Sequence, residues 1–352
     1  MTRSQDNPWL HRFALLTAAA TFCLIWVGGL VTSHGAGLAV PDWPTTYGYN
    51  MFFFPVSRWV GGIFYEHSHR LIASIVGFLT VILAVWLWLK EERRWLRNLG
   101  FIALGAVIFQ GVLGGLRVTQ MKDVIGVFHA TLAQLFFALA CAIAMFTSRW
   151  WRTSSAYGRE SPGQGMFRHA FAFITGIVLC QLVIGATMRH QHAGLAIPDF
   201  PRAHGAWWPA TDAGSIARYN QSRGEVAALN PVTAFQIYAQ MAHRIMALGI
   251  LFAVAWLAGA ARRTAPGSFL SRGAGGWLVL ILAQACLGVF TIWSNKAADV
   301  ATAHVALGAV SLATGAMLSI ISSRPVQRTE ALAASPAGQG HPATRSAEGM
   351  LA

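Results

Sequence analysis

The sequence predicts an all-α membrane protein: eight transmembrane helices arranged as two pseudo-symmetric, parallel four-helix bundles. Three observations lead there. Of 352 residues, 55% are hydrophobic and only 11% charged, with a mean hydropathy of +0.49. Average soluble chains carry roughly 25% charged residues, so a chain this apolar could not cover its own surface in water. Eight runs are long and apolar enough to cross a bilayer, and the chain repeats itself, so the runs divide four and four.

A spanning helix needs about 20 mostly apolar residues. The runs fall at 11–32, 67–89, 98–118, 124–148, 168–188, 236–260, 275–294 and 299–322. The first is too long for a cleavable leader, lacks a small-residue cleavage pattern and has a counterpart later in the chain, so it is read as a retained span. Basic residues sort the connections. Arg3, Arg12, Lys90, Arg93, Arg94, Arg97, Arg149, Arg152, Arg159, Arg168, Arg262, Arg263, Arg272, Arg324, Arg328 and Arg345 fall on one side, 16 of the 26 Lys and Arg. The positive-inside rule makes that side cytoplasmic, with both termini there. The 26 basic against 13 acidic residues are therefore a topology signal, and nucleic acid drops out as a partner. The other side has two long connections, 33–66 and 189–235, and two short ones near Lys122 and Lys296. Cys23, Cys141, Cys180 and Cys286 lie inside apolar runs without a CxxC, so neither a disulfide framework nor a thiolate metal site is expected. The tail 324–352 is rich in Pro, Ala, Gly and Ser and is expected to be disordered.

The repeat supplies the motifs. GGLVTSHGAGLAVPDWP from Gly28 aligns with GATMRHQHAGLAIPDFP from Gly185, at an offset of 157. HRLIASIVGFL from His69 aligns with HRIMALGILFA from His243, QGVLGG at Gln110 with QACLGV at Gln284, and DVIGVFHATLAQL from Asp123 with DVATAHVALGAV from Asp299. An even number of spans per half makes the repeat parallel. The expected units are 1–150, 151–323 and the tail 324–352. Duplicated membrane halves serve transporters as well as enzymes, and the repeat alone leaves both open.

Twelve histidines are present, but only His69, His129, His243 and His304 recur at matched positions inside spans. Each sits a few residues in from the outer end of an even-numbered span, so each half offers two imidazoles on two helices. An ionisable side chain at membrane depth is costly and usually functional. Facing imidazoles in a four-helix bundle suit the axial positions of a haem iron; satisfied core histidines are the plain alternative. Zinc is disfavoured because no Cys or carboxylate ligands recur beside them. Arg70 and Arg244 follow His69 and His243 directly, and a guanidinium there could meet a haem propionate or simply snorkel to the interface.

The halves differ at one acid. Glu66-His67-Ser68-His69-Arg70 in the first half faces Gln240-Met241-Ala242-His243-Arg244 in the second. Glu66 and His69 are i and i+3 on one helix and share a face. Glu66 is thus a candidate catalytic base, proton acceptor or charge stabiliser in half one, against the reading that it merely favours a helix N-terminus.

These residues bring a resemblance into view. Over about residues 10–322 the chain resembles the haem A synthase family, on Glu-x-x-His-Arg at Glu66 to Arg70, the three later histidines, the Gly-Leu-Ala-x-Pro-Asp-Trp/Phe-Pro loops and the duplicated eight-span layout. The resemblance implies a bacterial plasma-membrane enzyme that oxidises the C8 methyl of haem O to the formyl group of haem A by successive water-derived hydroxylations. It implies haem O between His69 and His129, with haem b between His243 and His304 in electron transfer. It also implies haem sites toward the extracytoplasmic side, an electron acceptor that no residue pattern identifies, and delivery of haem O by the farnesyltransferase that forms it. Many family members carry a cysteine pair in the first outer loop; here that loop reads GLAVPDWPTTYG, so no thiol can act there.

The remaining candidates have plainer readings. Met51 to Phe64 is too short and interrupted to span and is expected at the interface, bordering lateral entry of a farnesylated substrate or simply anchoring. Asp42 and Asp199 are expected to form turns, Gly28, Gly29, Gly114 and Gly115 to allow close helix packing, and His34, His190, His192 and His204 to be solvated or to make helix-end contacts. Two other function classes stay in play: a duplicated dihaem cytochrome b that carries electrons without altering haem, and a proton-coupled transporter.

Overall fold

A computed structural model describes residues 7–153, 164–223 and 231–324. All eight runs are helices: α1 Pro8–Ser33, α2 Gly61–Lys90, α3 Arg94–Gln120, α4 Asp123–Thr147, then the short α5 Arg149–Thr153, α6 Gln164–His190, the loop helix α7 Ala213–Ser222, α8 Ala234–Thr264, α9 Phe269–Trp293 and α10 Ala298–Ser322. Among the described residues there is no β-strand. The expected disordered tail lies outside the described residues apart from Arg324.

Local signals explain the ends. Asn7 caps α1 through its side chain, with Pro8 at the first helical position. Thr233 and Gln236 form a capping box at α8, and Ser268 caps α9. The two short connections turn on left-handed residues at matched places, Met121 after α3 and Asn295 after α9.

Packing follows the repeat. In the first half α1 packs on α2, α2 on α3, α3 on α4 and α4 back on α1; in the second, α6, α8, α9 and α10 close a ring in the same order. The halves meet along a seam of α1 and α4 against α6 and α10. Position at the seam decides enclosure: 56% of the apolar stretch of α10 is buried, against 11% in the outlying α9. Each half has its own core, with Val76, Leu83, Leu87 and Ile143 in one and Phe171, Val254, Leu257 and Trp277 in the other. Ile25, Phe137, Ala309 and Ala313 bridge them. Phe78, Ile108, Phe173, Phe252 and Val279 point outward, as a lipid-facing surface requires.

At the basic end of the bundle, buried Glu91 receives Arg93 at 2.8 Å and Arg152 at 3.2 Å, which ties the α2–α3 connection to α5. The opposite end carries the long connections and the histidines. The segment after Asn50 forms two single turns, Met51–Phe53 and Val56–Arg58, that expose Phe52, Phe53 and Val56 while Phe54 is buried.

Candidate haem-binding sites

All four matched histidines lie in the second or third turn of even-numbered spans at one end of the bundle: His69 on α2, His129 on α4, His243 on α8 and His304 on α10. Each ring rests on a glycine of the preceding span. A Cβ on Gly28 would fall 2.9 Å from His69 Cε1, on Gly114 3.2 Å from His129 Cε1, on Gly185 3.2 Å from His243 Cε1, and on Gly288 3.1 Å from His304 Cε1. The glycines are repeat mates, as the histidines are, so their general packing role narrows to seating four imidazoles. Gly29 and Gly115 serve other contacts, with Thr302 and the Trp43 ring.

Glutamines brace the same turns. Gln110 donates to the His129 carbonyl at 2.8 Å, Gln284 to that of His304 at 2.8 Å and Gln181 to that of His243 at 2.9 Å. His304 Nδ1 lies 3.1 Å from the Gln284 carbonyl. Donation there fixes the tautomer and leaves Nε2 with a free lone pair, the arrangement of a metal-ligating histidine. His69, His129 and His243 each keep a buried Nδ1 without a partner among the described residues.

The second pair fits a haem iron in spacing. The His243 and His304 ring centroids are 6.3 Å apart. An imidazole nitrogen sits about 2.0–2.1 Å from a first-row metal and about 1.1 Å from its own ring centre, so one metal shared by two rings needs a gap of about 6.3 Å. Around the pair lies a cavity of about 410 Å³ that also reaches Gln134 of the first half. That size is within the usual range for small-molecule sites. Its lining includes Arg189, Arg244 and Lys296 and, among the described residues, no acidic side chain.

The structure places Arg70 and Arg244 in loop clamps. Arg70 donates to the carbonyls of Val40 (2.9 Å), Asp42 (2.7 Å) and Thr45 (2.9 Å). Arg244 donates to those of Ile197 (3.4 Å), Asp199 (2.7 Å) and Arg202 (2.9 Å), the repeat mates of the same three residues. Glu66 joins the first clamp. It is 4% exposed, accepts from Val40 N–H at 2.9 Å and pairs with Arg70 at 2.9 Å. Gln240 occupies the equivalent place, accepting from Ile197 N–H at 2.7 Å and donating to the Ile197 carbonyl at 3.0 Å. The acid and the amide thus do the same anchoring work, and the difference between the halves at this position is one of charge.

Asp42 and Asp199 form the expected turns. Asp42 accepts from the backbone of Tyr47 and Gly48, and Asp199 from that of His204 and Gly205. Partial burial pushes both carboxyls up, but the hydrogen bonds outweigh it and hold them below the ordinary Asp range. His34 stacks on Tyr65 and His204 on Tyr219, while His190 is buried at the end of α6. His67, without a counterpart in half two, is fully buried between Phe54 and Trp59 and meets Thr46 Oγ1 at 3.2 Å.

Sequence reasoning missed two cations. Arg117 of α3 lies within electrostatic reach of Glu66, His69 and His129. Arg189 of α6 crosses the seam and donates to the Gly29 carbonyl at 2.6 Å and Ser33 Oγ at 2.7 Å. Repeat alignment could not find them because their mates are uncharged, Thr291 and Thr32. The available signal was a lone arginine in the last turn of an apolar helix.

The chain is similar to known proteins over most of its length. The chain is 24% identical to a protein named heme A synthase from Alkalihalophilus pseudofirmus over 90% of this chain and 98% of that one. It is 25% identical to another of that name from Geobacillus kaustophilus over 95% and 98%. A third, from Shouchella clausii, is 29% identical over 57% of this chain, a match that spans 65% of that relative. The profile of the COX15-CtaA family, described as cytochrome oxidase assembly protein, matches residues 51–316. Covering most of the chain and all four histidines, that match shows that the protein belongs to the COX15-CtaA family.

Proposed function

We propose that this protein is a haem A synthase: a multi-pass enzyme of a bacterial plasma membrane that converts the C8 methyl of haem O to the formyl group of haem A. The observation that carries the reading is the pair of glycine-seated imidazole pairs at one end of a duplicated bundle, in a chain of this family. His69 and His129 hold the substrate haem O in half one, residues 1–150. His243 and His304 hold haem b in half two, residues 151–323, as their 6.3 Å spacing supports. Haem b, when bound, supplies a one-electron redox centre.

The chain's own groups then have defined tasks. The Arg70 and Arg244 clamps keep the Pro-Asp-aromatic-Pro loops folded over the two sites. Glu66, fixed by Val40 N–H and Arg70, adds a negative charge on the face of α2 that carries His69. A preorganised anion favours positive charge developing at the substrate methyl carbon, where the formyl oxygen enters from water in two successive hydroxylations, each giving up two electrons to an external acceptor and two protons, before the hydrate loses water. The exposed Phe52, Phe53 and Val56 border the path by which a farnesylated substrate arrives from the lipid. By the positive-inside rule the sites face the extracytoplasmic side and both termini the cytoplasm.

One observation favours a second reading, a dihaem electron carrier: Gln240 anchors its loop as Glu66 does, so an anchoring role alone explains both. Co-expression with a haem O source, followed by extraction and chromatography of the haems, separates the two. Hydroxymethyl or formyl haem is expected. Bound but unaltered haem O makes the protein a carrier, and absence of any haem spectrum leaves the transporter.

A further inference from the structure

Among the described residues the half-two cavity is lined by three cations and no acid. Arg244 commits both Nη groups to three loop carbonyls and keeps one buried N–H, at Nε, without a partner among the described residues. Among the described residues Arg189 uses only Nη2, on Gly29 and Ser33, and the N–H groups of Nη1 and Nε have no partner there. The Lys296 ammonium forms no hydrogen bond or ion pair among the described residues, while its backbone N–H donates to the Thr291 carbonyl at 2.7 Å and its aliphatic stem passes Gly194. Partial burial and the nearby Arg189 charge hold Lys296 below the ordinary lysine range. Two cations brought together in a half-enclosed cavity repel each other and lose hydration, a cost that an anion offsets through charge-assisted hydrogen bonds. Lys296 stands just before α10, at the end that carries the histidines; helical rise places the start of that helix about 9 Å from His304 along the axis.

We infer that Arg189 and Lys296 form an anion subsite that takes the propionate carboxylates of the haem held by His243 and His304. This rests on the reading of half two as a haem b site. It moves the carboxylate contact from Arg244, which clamps a loop, to two residues from α6 and the α9–α10 turn. Arg189 also braces α1 of the other half, so the subsite lies on the seam and a ligand there touches a residue that joins the halves.

The test uses the full-length chain carrying His69→Ala, so that only half two titrates, purified from cells deprived of haem precursors. Ferric protohaem and its dimethyl ester, which lacks both carboxylates, are titrated by Soret absorbance. The intact subsite is expected to favour the diacid by roughly tenfold to a hundredfold, the range for hydrogen bonds between charged groups. Lys296→Asn, chosen because Asn tolerates the left-handed backbone there (φ 62°), should remove most of that preference while ester affinity stays unchanged. Lys296→Arg should restore it, and Arg189→Lys, which keeps the charge and a donor to α1, should reduce it in part. Equal affinity for diacid and ester with native Arg189 and Lys296 overturns the assignment, as a subsite that holds a lipid phosphate would produce. Equal weakening of both ligands by Lys296→Asn also overturns it. Failure of His69→Ala protein to bind either haem, with its helices intact by circular dichroism, refutes the half-two haem site and the subsite with it.

Discussion

Glu66 can be separated into its two properties, because half two already carries the control. Glu66→Ala removes the acceptor of Val40 N–H, a residue with no exposed surface, and strips Arg70 of its carboxylate partner. A buried donor without an acceptor costs about 1–3 kcal/mol, and breaking one side of a buried ion pair about 3–5 kcal/mol. The two overlap, so a net loss of about 3–5 kcal/mol is expected. Glu66→Gln should cost far less. Its carbonyl oxygen can accept from Val40 as Gln240 does from Ile197, and its amide can donate to the Val40 carbonyl, which already receives Arg70. The Ile197 carbonyl accepts from both Gln240 and Arg244, so one carbonyl can serve both donors. Limited proteolysis of residues 34–60 and thermal unfolding in detergent measure the anchor, and haem chromatography measures the chemistry. Glu66→Ala should open the loop, whereas Glu66→Gln should leave it closed and still abolish formyl haem. If Glu66→Gln destabilises the loop as much as Glu66→Ala, the analogy with Gln240 is wrong. If Glu66→Gln makes formyl haem at the normal rate, the charge has no part in the reaction.

Other consequences are as concrete. Gly288→Ala puts a methyl group 3.1 Å from His304 Cε1 and should lower the haem b to protein ratio, whereas Gly276→Ala, with open space around it, should leave the ratio unchanged and add up to about 1 kcal/mol of helix stability. Arg244→Lys cannot span the carbonyls of Ile197, Asp199 and Arg202, so the loop should lose about 1–3 kcal/mol and be cut faster by protease, with or without haem; destabilisation confined to the haem-bound form would show that Arg244 holds the ligand instead. The lowered Asp42 and Asp199 carboxyls make both turns insensitive to acid until pH falls below the ordinary value of 3.8: their stabilisation is fully present above it and disappears as pH drops through the lower folded-state value. Amide exchange at Gly48 and Gly205, corrected for its intrinsic pH dependence, should follow that curve, and Asp42→Asn should flatten it at Gly48 alone.

Spans were easy to read from the sequence because lipid leaves a helix no other place for its apolar residues, and each expected run became one helix. The histidines were legible because the duplication printed them twice. The same comparison showed Glu66 against Gln240 as a gained charge but not what the two share, since an alignment shows which letter changed and hides that the two side chains accept from equivalent backbone N–H groups, those of Val40 and Ile197. It could not show the loop clamps of Arg70 and Arg244, because a guanidinium can swing to either side of its helix, and the loop carbonyls that receive it come from residues 25 to 47 positions away. Arg117 and Arg189 were hidden for the opposite reason: each half places its cation on a different helix, so the repeat contains no echo of either.

The seam has one more consequence. Gly29 lets α1 approach α10 until a Cβ there would fall 2.8 Å from Thr302 Cγ2, Ser33 meets the Thr302 hydroxyl at 3.1 Å, and Arg189 closes over the same turn. Thr302 is two residues from His304, and Gly28, the seat of His69, adjoins Gly29. The separation of the two histidine centres is therefore set by the α1 backbone at Gly29 resting on the short, branched side chain of Thr302, with no long flexible side chain at that contact to act as a spring. A larger residue at Gly29, or a change at Thr302, should therefore shift the two histidine pairs relative to one another even though neither residue touches an imidazole.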